Sequence, residues 1–290
     1  EDAAFLAVQA GQADLAYTSA PYAGQRVSGY SLLSVQTVDN RGINLPVRNN
    51  ELTADPLVRR AIDLGIDRQA IIDHVLNGYG TPAYSVCDGM PWCSPVNEAG
   101  CDRTKAAGLL DAAGWLPGPD GVREKDGVAA WITIYYPAGD SVRQGIAVEL
   151  SNQLKKLRIR ADIEGVGWDD AYTCALSNPL VWGWGAHTPM ELYNIYHTAP
   201  GSDSALYSPY SNKRADRLMD AALACPDLEG SYALWQQAQE EIAGDVPWVW
   251  LVNVDHLYWV RDGLEVAEQK IHPHGHGWSI VNNIDRWSWE

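Results

Sequence analysis

The stretch from Asn49 to Gly80, NNELTADPLVRRAIDLGIDRQAIIDHVLNGYG, carries two helices in tandem, each with its start and stop written into it. Asp55 offers a carboxylate to the free backbone N–H groups of a first turn, and Pro56 takes the first helical position, where no N–H is needed. Leu57, Val58, Ala61, Ile62 and Gly65 then recur on one stripe meant for a core, with Arg59, Arg60 and Asp63 on the other side. Asp67 caps a second helix whose Ile71, Ile72, Val75 and Leu76 share a face. Asn77-Gly78 closes it with residues that tolerate a left-handed backbone.

Working outward, the chain alternates helical and extended patterns. Residues 1–45 read as a helix, a short strand and an extended stretch, with Ser31 to Val38 apolar enough to be buried. After Gly80, Cys87 to Cys101 reads as a loop, Arg103 to Ala113 as a helix and residues 117–127 as a turn-rich hairpin. Trp131 to Tyr135 reads as a strand. Ser141 to Leu157 repeats with helical period, and RIRADI from Arg158 to Ile163 alternates with period two, so a helix hands over to a strand. Helices follow at Asp216 to Ala224 and Ser231 to Ile242, then an apolar strand at Val246 to Val254. This is α/β patterning.

Composition excludes several classes. The 290 residues, 46% hydrophobic and 20% charged, suffice for a sizeable core and do not describe a disordered chain. No apolar run reaches the roughly 20 residues that span a bilayer. With 37 acidic against 21 basic residues the formal charge is −16, which repels phosphate backbones, so nucleic acid is excluded as a partner. There is no G-x-S-x-G, no G-x-x-x-x-G-K-[ST], no G-x-G-x-x-G and no H-E-x-x-H, and no enzyme activity is expected. A two-carboxylate glycosidase or a carbohydrate-binding module with a tryptophan-lined cleft is the alternative that composition leaves open.

The tandem helices resemble the lobe-entry segment of the extracellular solute-binding proteins of the peptide and nickel ABC-transporter family (family 5). Other segments resemble that family in its own order: residues 2–21 (DAAFLAVQAGQADLAYTSAP), 105–115 (KAAGLLDAAGW), 139–163, WGWGAHTP from Trp182, and the helix and strand around AQEEIAGDVPWVWL. The resemblance implies a two-lobed, periplasmic-binding-protein-like α/β fold, of which this chain is the C-terminal half. Residues 1–45 would be a remnant of the first lobe, 46–248 the complete second lobe, and 249–290 the return to the first. It further implies an extracytoplasmic protein, periplasmic or anchored as a lipoprotein, that binds a peptide or a nickel or other metal chelate and delivers it to an ABC permease. No cofactor is obligatory, and Ni²⁺ or a metal chelate enters only as transported ligand.

On that resemblance, Trp182 to Pro189 lies at the solute. His187 stands where peptide-binding members carry an acidic residue that pairs with an α-amino group, and a neutral imidazole suits a transition metal better than an ammonium. The Trp-Gly-Ala core of the segment is closer to nickel-binding members. Trp168, Trp182, Trp184, Tyr193 and Tyr196 are the aromatic candidates for ligand contact, whereas Trp115, Trp131 and Trp235 fit a core. Thirteen tryptophans and fourteen tyrosines against one phenylalanine favour rings that pair an apolar face with a polar edge. Arg41, Arg143 and Arg214 are possible carboxylate partners among which nothing in the sequence selects.

A second cluster, His272, His274 and His276, alternates along an extended segment and could set three imidazoles to one side, a donor set for Ni²⁺, Cu²⁺ or Zn²⁺ alongside His187. Surface histidines without a ligand are the alternative. Cys87, Cys93 and Cys101 share one loop. A disulfide would brace it in an oxidising compartment, with free thiols and a zinc site as alternatives and the pairing open.

Overall fold

The computed structural model describes residues 2–185, 188–203, 207, 209–274 and 277–290. Trp248–Val254 is the centre of the larger sheet. It pairs antiparallel with Asn40–Asn44 on one side and Gly80–Pro82 on the other, and Val181–Trp182 adds beyond Asn40–Asn44. A parallel bridge from Tyr135 to Leu180 continues it to the parallel pair Trp131–Pro137 and Arg160–Val166. Every residue of Trp248–Val254 is buried, as a strand covered on both faces must be. Val249 and Leu251 face helices Pro56–Gly65, Arg68–Val75, Arg103–Ala112 and Ser141–Lys156, which bring Ile62, Ile71, Leu110 and Leu150 into one apolar cluster. Trp248 and Trp250 face the other way, into a cluster with Met219 and Trp235 from helices Lys213–Leu223 and Leu228–Ala243.

A second body is built on His256–Arg261, the middle strand of an antiparallel sheet between Leu15–Thr18 and Tyr30–Val35. It has its own apolar clusters, around Phe5 with Trp259 and around Tyr258 with Ile280. The chain passes between the two sheets twice, at residues 36–39 and at Asp255. These passages are tied together: Thr37 Oγ1 donates to Val254 O (2.6 Å) and Val254 N to Asp39 O (2.9 Å).

The local signals hold. Asp55 accepts from Leu57 N at 2.8 Å and Asp67 from Ala70 N at 3.1 Å, while Asn77 and Gly78 take φ of +51° and +86°. Several expectations about burial do not. Arg59 and Asp63, on the polar side of their helix, are buried because neighbours satisfy them. Arg59 donates to the carbonyls of Thr53, Ala54 and Asp245, and Asp63 accepts from Arg68. Tyr30–Val35 is only half-buried, since it is an edge strand of its sheet. Trp131 is 53% exposed at the start of its strand, its ring 5.5 Å from the Arg160 guanidinium and its Nε1 donating to Asp162. The following strand begins at Arg160, because Arg158 turns the chain at φ +61°.

Candidate functional site

Where the two bodies meet, a cavity of ≈ 80 Å³ is lined from both sides. Tyr17 to Ala20 contribute from the smaller body, Asp255 from a passage, and Arg41, Tyr79, Asp140, Val142, Arg143 and Val254 from the larger body. Arg143 sits one turn into helix Ser141–Lys156, whose N-cap Asp140 accepts from the Arg143 backbone N–H and also from its Nη1. The guanidinium is 4% exposed and lies 5.8 Å from both the Trp168 and Trp182 rings, within cation–π range. Burial, then the nearby Arg41 charge, lowers its pKa from the usual arginine value. Two like charges are thus held together out of water. Among the described residues, Arg41 Nε and Arg143 Nε have no hydrogen-bond partner although both are buried, an arrangement that an anionic group would complete.

Arg41 is anchored by Asp39, which receives Arg41 Nη1 at 2.5 Å and Nη2 at 3.3 Å. Burial alone would raise the Asp39 carboxyl. The Arg41 charge and hydrogen bonds from His256 and His274 outweigh it and hold the group well below the usual carboxylate range. His256 Nε2 lies 3.4 Å from Asp39, and His256 Nδ1 is 3.3 Å from His272 Nδ1, whose Nε2 meets Gln269 Oε1 at 3.1 Å. His272 and His274 therefore do converge on one place, a buried carboxylate and a third histidine. Among the described residues no three His, Cys, Asp or Glu side chains are arranged to hold a metal ion. His187 and His276 lie outside the described residues.

The tryptophans form a wall beside the cavity. Trp182 pairs with Gly42 across the sheet, and Trp250 pairs with Gly42 from the other side; a Cβ at Gly42 would lie 2.8 Å from the Trp250 ring. Trp184 is fixed by the Asn40 side chain, whose Oδ1 accepts its N–H at 3.1 Å, and by Asp203, which accepts its Nε1 at 3.2 Å. Burial pushes the Asp203 carboxyl up, and the Trp184 bond opposes it. Trp184 stands edge-on to Trp248 at 4.9 Å; Trp168, 52% exposed, stands edge-on to Trp182 at 5.2 Å.

Of the residues singled out by sequence, Trp168 and Trp182 thus gather around Arg143, with Trp184 behind them. Tyr193 does not join them: it stacks on His197 at 4.1 Å, and Tyr196 is buried with its hydroxyl accepting from Trp250 Nε1 at 2.8 Å. Arg214 is exposed and paired with Glu241. Asp39, Asp140, Asp255 and His256 were not anticipated, because their importance arises only when distant passages meet. Asp255, half-buried at the cavity, accepts from Ser34 Oγ at 2.7 Å, and burial raises its carboxyl pKa. All five cysteines carry free thiols, so the expected brace is not formed; Cys101, for one, turns its thiol to Gly65 O at 3.4 Å.

A family model described as bacterial extracellular solute-binding proteins, family 5 Middle, matches residues 1–206. Protein XP55 of Streptomyces lividans is 32% identical over 245 residues, covering 82% of this chain and 44% of the relative. The oligopeptide-binding protein AppA of Bacillus subtilis (strain 168) is 30% identical over 249 residues, covering 82% and 45%. The chain spans about half the length of the curated relatives it matches. Among solved structures, B. subtilis AppA in complex with a nonapeptide superposes with a TM-score of 0.81 at 26% identity, over 100% of this chain and 58% of that one. NikZ from Campylobacter jejuni in complex with Ni(L-His) gives 0.83 at 20% identity, over 99% and 59%, a likeness of fold. The chain belongs to the bacterial extracellular solute-binding proteins of family 5.

Proposed function

We propose that the protein captures a small carboxylate-bearing solute at the seam between its two bodies and delivers it to an ABC permease outside the cytoplasm. The observation that carries this reading is the pair of buried guanidiniums, Arg41 and Arg143, which line a cavity walled by both bodies and whose Nε atoms have no partner among the described residues. The sheets centred on Trp248–Val254 and His256–Arg261 serve as parts of two lobes, and residues 36–39 with Asp255 serve as the hinge strands. A solute touching both lobes stabilises the closed form over the open one, and that difference in affinity is what a permease can sense. No covalent chemistry is involved.

Two solute classes fit, a short peptide and a metal held by a carboxylate chelator such as an amino acid. B. subtilis AppA and C. jejuni NikZ, by their descriptions, bind one each. Both present a carboxylate to Arg143 and an apolar or aromatic face to Trp168 and Trp182. His187 favours the metal chelate, since imidazole is a poor counter-ion for an ammonium. Calorimetry with a peptide library, with Ni²⁺, and with Ni²⁺ plus histidine separates them. The reading requires at least one carboxylate-bearing solute to bind, and to lose affinity when its carboxylate is amidated. Binding indifferent to amidation overturns it.

A further inference from the structure

The loop between Ala83 and Cys101 is held to helix Leu228–Ala243 by two side-chain amides: Gln236 Nε2 donates to Pro91 O (3.1 Å) and Cys93 O (3.3 Å), and Gln239 makes the larger set. Gln239 Oε1 accepts from Ser94 N (3.1 Å), Cys87 Sγ (3.3 Å) and Ser85 Oγ (3.3 Å), and Gln239 Nε2 donates to Trp92 O (2.8 Å) and Trp235 O (3.0 Å). Sharing one oxygen puts the Cys87 sulfur beside the backbone that follows Cys93. Two successive turns, Met90 N to Cys87 O and Cys93 N to Met90 O, both 3.0 Å, fold the intervening residues back on themselves. Burial, and after it the neighbouring Cys93 thiol, raises the Cys87 thiol well above its usual pKa. Asp88 lies close by, 3.8 Å from Cys93 Sγ. Cys101 is drawn away to Gly65 O.

We propose that Cys87 and Cys93 are the reduced half of a dithiol–disulfide couple, closed by exchange with an external disulfide such as oxidised glutathione or an oxidoreductase. Cys93 is the less buried of the two, and burial pushes the Cys87 thiol up, so Cys93 attacks first. Its thiolate bonds to one sulfur of the external disulfide and expels the other as a thiolate. Cys87, deprotonated in turn, attacks the Cys93 sulfur of the mixed disulfide and expels the second external thiolate. Two cysteine thiols are oxidised, one external disulfide is reduced to two thiols, and those thiols carry away both protons.

The bond acts on the tryptophan wall. Val86 O accepts Asn40 Nδ2 at 3.1 Å, and Asn40 Oδ1 in turn accepts Trp184 N, so a stiffened loop holds the Trp184 backbone in register. The test uses the wild-type protein. It is incubated with oxidised glutathione, denatured, alkylated with iodoacetamide and digested with trypsin, and the peptide spanning Gln69 to Arg103 is weighed and fragmented. A single alkyl group, on Cys101, is expected. Alkylation of Cys87 and Cys93 as well, or a bond that includes Cys101, overturns the proposal. In urea, the oxidised protein unfolds at a higher midpoint than the same sample treated with dithiothreitol, and Cys93→Ser shows no such difference; equal midpoints for the wild type contradict the bracing role.

Discussion

Arg143 has surroundings that call for a ligand: a buried guanidinium with one carboxylate partner, two indole rings beside it, a second cation near it and a bare Nε. Arg143→Ala is expected to weaken solute binding by about tenfold to a hundredfold, the loss of one charged hydrogen-bond pair. Arg143→Lys recovers only part of that, because a compact ammonium cannot reproduce the planar fork. Calorimetry on both variants, with circular dichroism as the check on folding, reads the effect. Asp88 carries a second prediction. Burial raises its carboxyl to about 6 despite hydrogen bonds from Ser85 N and Tyr84 N. The unfolded group titrates near ~4, so between these values the folded state binds more protons. Its contribution to stability is fully present below about pH 4 and is lost as pH rises through about 6. Asp88→Asn should remove that slope, worth on the order of 2 kcal/mol or less, when urea unfolding is followed from pH 4 to 7.

At the scale of elements, close backbone approach fixes how the site strands meet. A Cβ at Gly183 would lie 2.2 Å from Asn40 O, on the strand that carries Arg41. Gly183→Ala must push these strands apart, and a loss of about 1–3 kcal/mol in urea unfolding is expected. Asp67→Ala should cost about 1 kcal/mol by removing a helix cap. Such caps were legible in the sequence because they act within a turn: Asp55, Asp67, Asn77 and Gly78 do what their positions imply. Burial was less legible. Helical period identifies two faces but not what covers the second, so Arg59 and Asp63 looked solvated and are buried against carbonyls and Arg68. The site was half legible for the same reason. Trp168 and Trp182 come from one segment and its neighbour, whereas Asp39 meets His256 and His274 across more than two hundred residues of chain, which no local pattern encodes.

The whole molecule is two sheet-centred bodies joined by paired passages, with the cavity where they touch. Among the described residues no helix is long and apolar enough to cross a membrane. On the proposed reading, the net charge of −16 disfavours a solute's carboxylate at most of the surface, and the buried Arg41 and Arg143 are where it is held. Asn77, in the left-handed region at φ +51°, donates to Ala20 O at 2.7 Å across the seam beside the cavity. Asn77→Gly removes that link and is expected to weaken solute binding by several-fold while leaving the backbone turn intact, as read by calorimetry. The central claim is tested most directly by a crystal structure of the protein with the solute that calorimetry selects. A carboxylate within hydrogen-bond distance of Arg143 Nε, with the solute between Trp168 and the Tyr17 to Ala20 segment, is the predicted result. A solute lodged elsewhere, with Arg143 Nε still bare, contradicts it.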